Sequence, residues 1–344
     1  MPPLMLPILI LGVTMGTIFA ASSHHWLMAW LGLELNTLCL LPLISKPKHP
    51  RATEATTKYF LTQAIASTLV MFSSTMNAWE TGQWHLTQLS NNYACIMMTI
   101  ALMIKVGTAP MHFWLPEVLQ GSTMQTALLI TTWQKIAPIT LLYSMANHLP
   151  TKMTMTLGIL STLIGGWGGI NQTQTRKLLA YSSIAHMGWT LMIITISPNI
   201  AVLNIMIYII MTTPTFLLLI QLSLKTLKDS STAWTTTPMI ILLMPIMMSL
   251  GGLPPLTGFT PKLLILNEMV TQKMTPLATI AALASLLSLV FYLRMAYLTT
   301  MTLPPITTTS TMKWRLTTKH LSLPLAITMT MTMMSLPMTP TFIP

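Results

Sequence analysis

Charge is scarce in this sequence. Only 7% of its 344 residues are Asp, Glu, Lys or Arg. A soluble chain of that length could not cover its surface with so few charges. Acid is scarcer still, with six Asp and Glu against 17 Lys and Arg. The net charge of +11 would suit a nucleic-acid partner, but the basic residues fall between apolar runs and form no interleaved basic–aromatic patch. No nucleic acid is expected. Cysteine is nearly absent: Cys39 and Cys95 lie in apolar runs, fit buried packing and have neither disulfide nor metal spacing. There is no P-loop, dinucleotide fingerprint, nucleophile triad or metal cage, so the chain offers no redox or hydrolytic chemistry of its own. No soluble domain or long linker interrupts it. No basic n-region precedes its first apolar run, so no cleavable signal peptide is read.

What is abundant is apolar. Hydrophobic residues make up 52% of the chain and the mean hydropathy is +0.66. Runs of about 20 apolar residues recur, which is the length that crosses a bilayer as a helix. A barrel would need short segments of alternating polarity, and none is seen. The fold class is therefore an all-α polytopic membrane protein. Eleven spans are predicted, over 3–21, 26–45, 56–77, 94–116, 123–145, 153–171, 178–197, 200–222, 238–266, 276–298 and 321–338. Between them, one side receives Lys46, Lys48, Arg51, Arg176, Lys177, Lys225, Lys228, Lys313, Arg315 and Lys319. The other receives only Lys152 and Lys273. That bias puts the N-terminus on the positive side and, after eleven crossings, the C-terminus opposite. Trp26, Trp79, Trp84, Trp234 and Trp314, and the pair His24-His25, fall near span ends and read as interfacial residues. Arg294 and Lys58 lie near span ends and can snorkel.

Two spans carry residues that cannot continue a helix. Gly251-Gly252-Leu253-Pro254-Pro255-Leu256-Thr257-Gly258-Phe259-Thr260-Pro261-Lys262 sits between apolar runs, and Gly107-Thr108-Ala109-Pro110-Met111-His112-Phe113-Trp114-Leu115-Pro116 repeats its pattern. At a constant offset of 145 (252 minus 107), Gly107 meets Gly252, Pro110 meets Pro255, Trp114 meets Phe259 and Pro116 meets Pro261. Proline removes a helical donor and clashes with the preceding turn. Irregular backbone at membrane depth survives only where protein or a water-filled cavity satisfies it. Gly/Pro-interrupted spans at matching places in two halves point to a transporter built from repeats, with its site at the breaks. Chance matching in a chain with 24 prolines is the alternative.

Few ionisable groups remain inside the spans: Glu34, Lys105, Lys135 and Lys262, with His112 and His186 near them. A charge at mid-depth costs about 2.5–3.5 kcal/mol on insertion scales and marks pathways, proton relays or counter-ions. Glu34 lies about 12 Å into its span at a rise of 1.5 Å per residue. It could tie helices together through a lysine, tune that lysine's proton affinity, or both. Lys105 ends a half-helix, where unpaired carbonyls favour a cation, whereas Lys262 begins one, where the dipole disfavours it. The two lysines are therefore not equivalent, and Lys262 aligns with Glu117. Lys135 is expected in an unbroken span, with Thr131, Thr132 and Gln134 able to order water beside it. Buried lysines can take and release protons. His186 lies about 14 Å beyond Lys177 along its span; it and His112 are relay candidates or satisfied packing residues.

The motifs His25-Trp26…Gly32-Leu33-Glu34-Leu35-Asn36, Lys58-Tyr59-Phe60-Leu61-Thr62-Gln63, Pro110–Glu117, Asn171–Lys177, Tyr181–Trp189 and Gly252–Phe259 resemble one family. It is the chain 2 family of NADH-ubiquinone oxidoreductase, antiporter-like membrane subunits of mitochondrial respiratory complex I. The resemblance runs from about residue 20 to residue 300. It implies two inverted five-helix bundles, 1–145 with the broken helix 94–116 and 146–300 with the broken helix 238–266, then a loop and last helix over 301–344. It places the family's mid-membrane glutamate on Glu34 and its lysines on Lys105, Lys135 and Lys262. One departure is Leu263, where close relatives are expected to carry an aromatic residue. The resemblance also implies proton translocation coupled to NADH oxidation, with NADH, flavin, iron–sulfur clusters and ubiquinone held by other subunits and no cofactor bound by this chain. Other subunits of the complex and membrane lipids are the expected partners. The expected location is the mitochondrial inner membrane, N-terminus in the matrix and C-terminus in the intermembrane space. The abundance of Met and Thr is common in chains encoded by animal mitochondrial genomes. The alternatives are a stand-alone cation/proton antiporter and a structural spacer between pumping neighbours.

Overall fold

The computed structural model describes residues 5–232, 238–254, 256–300 and 322–334. Among them the chain is helical, without strands. The helices are α1 (Met5–Ser22), α2 (Trp26–Ile44), α3 (Pro50–Thr81), α4 (Asn92–Val106), α5 (Trp114–Gly121), α6 (Met124–Thr131), α7 (Trp133–Ser144), α8 (Thr151–Ile170), α9 (Thr175–Ile194), α10 (Pro198–Gln221), α11 (Leu227–Thr232), α12 (Leu243–Gly251), α13 (Phe259–Thr271), α14 (Thr275–Thr300) and α15 (Ser322–Met334). Five of them, α1, α2, α8, α10 and α14, are both long and apolar enough to cross a membrane. The protein is a multi-pass helical membrane protein. Trp234, Trp314, Lys313, Arg315, Lys319, much of the 301–344 segment and parts of the expected last span lie outside the described residues.

Local sequence sets the helix ends. His25 and His49 cap α2 and α3: each Nδ1 accepts a backbone N–H two residues on, at 3.2 Å. Asn91 caps α4, its Oδ1 accepting the Tyr93 N–H at 2.8 Å. Gly82 stops α3 in the left-handed region at φ 69°. Helix α3 starts at Pro50 and runs to Thr81, well past the expected 56–77 at both ends. A proline in the first turn is compatible with a helix, and Glu54 and Lys58 sit one turn apart within it.

The contacts divide the chain into two compact units, 1–161 with 194–198, and 162–193 with 199–344. In the first, α1 crosses α2 where small residues let the backbones approach. A Cβ on Gly16 would lie 2.8 Å from the Gly32 carbonyl oxygen, and one on Gly32 2.6 Å from the Ala20 nitrogen. Such small-residue contacts are how membrane helices pack without a hydrophobic driving force. Helix α3 packs on α2, α4 and α5, and α7 on α1, α2 and α4. In the second unit α14 packs on α11, α12 and α13, and α15 on α12. The Thr257 hydroxyl there donates to the Thr332 carbonyl at 2.8 Å. Gly165 and Gly168 of α8 abut α9, while Gly166 and Gly169 abut α14.

The outward faces stay apolar, with Ile8, Leu11 and Ile18 on α1 and Leu283 and Leu286 on α14 all exposed. Trp79 is exposed, as a belt residue should be, but Trp26 is not: its side chain is fully buried and its backbone N–H bonds the Trp84 carbonyl. The bulk of an indole beside a helix crossing was spent on packing. Arg294 does not simply snorkel; its Nη1 donates to the carbonyl of Ile170, the last residue of α8. Lys58 is bound by Glu54 and by Glu117 of α5, each at 2.6 Å.

Candidate functional site

Both predicted breaks are present. Helix α4 ends at Val106 and α5 resumes at Trp114; α12 ends at Gly251 and α13 resumes at Phe259. The two ends are built alike. Gly107 has φ 80° and ψ 42°, Gly252 φ 76° and ψ 42°. This left-handed conformation is open to glycine and closed to most other residues. Gly107 donates to the Ile104 carbonyl and Thr108 to Met103; Gly252 donates to Ser249 and Leu253 to Met248. Each donor–acceptor pair maps onto the other at the offset of 145. Such paired bonds satisfy carbonyls that a helix end would leave bare.

Past the glycines the breaks differ. In the first, the Trp114 indole donates to the Ile104 carbonyl at 3.1 Å, and the buried His112 contacts the Pro110 carbonyl through Nδ1 at 3.1 Å. Pro116 is buried in the first turn of α5. In the second, Pro261 is buried in the first turn of α13, and Gly258 sits so close to the Ser249 carbonyl that no side chain fits. Pro254 lies in the loop; Pro255 lies outside the described residues.

The lysines occupy the interior. Lys105 is 5% exposed, Lys135 3% and Lys262 8%. Lys105 stands in the last turn of α4, and its Nζ is buried without a hydrogen-bond partner among the described residues. Glu34 of α2 acts on it electrostatically, yet the two form no contact ion pair. The Glu34 carboxylate is half-buried, accepts the Thr37 hydroxyl at 3.3 Å and borders an apolar pocket of about 510 Å³ with Phe19, Met28, Leu31, Leu35, Leu38 and Cys39.

Lys262 corrects the sequence reading. Its backbone does belong to the start of α13, but the side chain turns back and Nζ donates to the Gly251 carbonyl at 2.7 Å. The ammonium therefore rests on the C-terminal end of α12, where the helix dipole favours a cation. The disfavour expected for Lys262 from its chain position is absent, because a four-carbon stem spans the break.

Lys135 brings a second correction. Its span is interrupted at Thr132, with φ −107° and ψ −71°, so that Lys135 is the third residue of a new helix, α7. The Thr131 and Thr132 hydroxyls donate back to the Ala127 and Leu128 carbonyls. Such back-bonding bends helices, and Pro138 removes a helical donor one turn further on. Gln134 gives its amide to Asn36 Oδ1 at 2.7 Å. The three polar groups expected to order water beside Lys135 thus spend their donors on protein, and Gln134 ties α7 to α2.

His186 of α9 is buried in the second unit, its ring 5.2 Å from that of Tyr208 on α10. Met211, one turn further along α10, adjoins Gly258 at the second break. The structure thus brings Glu34, Lys105, Lys135 and His112 into the first unit and Lys262 and His186 into the second. Sequence reasoning passed over three buried tyrosines, Tyr59, Tyr208 and Tyr292. For Tyr208 and Tyr292 the signal was available, since a phenol hydroxyl inside an apolar span has to meet something polar; Tyr59 sits near the start of its expected span and gave no such signal.

The family described as NADH:quinone oxidoreductase/Mrp antiporter membrane segment matches residues 23–288, and NADH dehydrogenase subunit 2 C-terminus matches residues 289–343. The chain is 53% identical over 344 residues to NADH-ubiquinone oxidoreductase chain 2 of Latimeria chalumnae, covering 100% of this chain and 99% of that one. It is 53% identical over 330 residues to the chain of the same name from Gallus gallus, covering 96% and 95%. Its fold is similar to a chain of respiratory complex I from Thermus thermophilus, at 26% identity and a TM-score of 0.80, covering 96% of this chain and 78% of that one.

Proposed function

Because the chain belongs to the NADH-ubiquinone oxidoreductase chain 2 family, we propose that it is a core membrane subunit of respiratory complex I that takes part in proton translocation. It is a subunit of the NADH:ubiquinone reductase, and NADH, flavin, iron–sulfur clusters and ubiquinone are held by other subunits. Its own contribution is a set of groups that hold and pass protons inside an apolar bundle: Glu34, Lys105, Lys135 and His112 in the first unit, Lys262 and His186 in the second. The observation that carries this reading is the burial of the three lysines. Each costs about 2.5–3.5 kcal/mol at mid-depth, a cost that a spacer has no use for.

The fold proposed is eleven spans in two inverted five-helix bundles, 1–145 and 146–300, with one appended helix. It is supported by the matching glycine caps at Gly107 and Gly252. The location proposed is the mitochondrial inner membrane, with the N-terminus in the matrix, supported by the charge bias between spans. Glu34 borders a pocket open on the outer face of the chain. A carboxylate there does not face lipid alone, so a neighbouring subunit covers it.

A double-mutant cycle tests the reading. Glu34→Gln should lower the protons moved per NADH oxidised, and adding Lys105→Met should cost less than the sum of the single changes, because each single change leaves a buried charge without its counterpart. Strict additivity, or full pumping by Glu34→Gln, contradicts it.

A further inference from the structure

Tyr59 of α3 is buried, and its hydroxyl has no hydrogen-bond partner among the described residues. Buried phenol hydroxyls ordinarily find one. Its ring meets the edge of Trp114, centroids 5.7 Å apart at 62°, and Trp114 donates to the carbonyl of Ile104, the residue before Lys105. The hydroxyl also feels the charge of Glu34. Helix α3 packs on α2, α4 and α5, which carry Glu34, Lys105 and Trp114. Among the described residues, the Glu34 carboxylate accepts only the hydroxyl of Thr37, at a long 3.3 Å, and it borders the outward apolar pocket. A donor without an acceptor and a carboxylate with little support are thus on neighbouring helices.

We infer that Tyr59 is the inner docking point of Glu34: the carboxyl moves between the outward pocket and the Tyr59 hydroxyl, and the inward position presents it to Lys105. The step balances. Protonated Glu34 gives its proton to the neutral amine of Lys105, leaving a carboxylate and an ammonium, and the Tyr59 O–H donates to the carboxylate as it forms. Tyr59 keeps its own proton throughout and is a positioning residue. The ring's packing against Trp114 fixes where the hydroxyl points, and so where the carboxyl stops. This inference rests on the proposed role of Glu34 and Lys105.

The test is Tyr59→Phe in intact complex I, which keeps the ring and removes the hydroxyl. Two readouts are taken beside Glu34→Gln: protons moved per NADH oxidised, and the infrared carboxyl band that Glu34→Gln abolishes. The expected result is an assembled complex whose proton ratio falls at least half of the way to that of Glu34→Gln, with the Glu34 band displaced. Tyr59→His, which retains a ring donor, should pump more than Tyr59→Phe. If the hydroxyl only packs, deleting an unpartnered buried donor leaves the ratio and band unchanged and, if anything, adds stability. That outcome, with Glu34→Gln still impaired, overturns the role of Tyr59 alone. Full pumping by Glu34→Gln overturns the reading beneath it.

Discussion

Gly252→Ala offers a way to disturb Lys262 without altering it. The added Cβ would stand 2.9 Å from both Cδ and Nζ of Lys262, on a backbone at φ 76°. Two costs follow. A Cβ in the left-handed region costs about 1–2 kcal/mol. Pushing Nζ off the Gly251 carbonyl forfeits a 2.7 Å bond from a charged donor, and hydrogen bonds to charged groups are worth about 1.5–3 kcal/mol. The sum is roughly 2.5–5 kcal/mol, confined to the α12–α13 break. Only the first cost should remain when Lys262 is already methionine, whose flexible end can give way. The coupling between Gly252→Ala and Lys262→Met should therefore be about 1.5–3 kcal/mol. Hydrogen–deuterium exchange of the amides around Gly252 and Leu253 in assembled complex I reads the local opening free energy in all four variants. A coupling near zero would refute the claim that the lysine's contact with α12 is held by the space that glycine leaves.

Three further outcomes are expected. For Gly258→Ala the nearest obstacle is rigid, since its Cβ would run into the Ser249 backbone carbonyl; native-gel abundance of the assembled complex should collapse, and normal abundance would show that the break can widen. Asp229 caps α11 by accepting the Thr226 and Lys225 amides at 2.8 and 3.1 Å, and the Thr226 amide bond above all holds its carboxyl below the ordinary value. Its contribution is therefore present above the unfolded value of about 3.9 and lost as pH falls through the lower folded value; amide protection at 225–229 should fade over that acidic window, and Asp229→Asn should remove the pH dependence. Finally, a C-terminal tag in mitoplasts should be reached by protease from the intermembrane-space side; access from the matrix side alone contradicts the span count and orientation.

The breaks were legible because their cause is local. Glycine at positive φ and proline without a donor leave a helix no way on, whatever surrounds them, so Gly107 and Gly252 could be placed from the sequence. The buried lysines were legible for the same reason: a charge in an apolar run is visible residue by residue. What escaped depends on partners distant in the chain or on many weak effects. No residue at Thr132 forbids a helix; the interruption arises from two threonine hydroxyls bonding backwards and a proline a turn later. Lys262 was assigned to the wrong helix end because sequence position locates its backbone, while the ammonium lies several bonds away on Gly251. The reach of α3 beyond its apolar middle was hidden by Arg51 and Glu54, charges that lie outside the apolar run; Glu54 pairs with Lys58, which Glu117 of α5 also binds. Tyr59 looked like one aromatic among many until its hydroxyl proved to be enclosed.

Lys135→Arg in reconstituted liposomes tests the central claim most directly, with proton translocation measured against NADH oxidation. Arginine keeps a positive charge but stays protonated at any working pH. If Lys135 carries protons, the variant assembles, still oxidises NADH and moves fewer protons for each NADH consumed, as Lys135→Met does. Full pumping by the arginine variant would contradict the account and leave Lys135 a fixed structural charge.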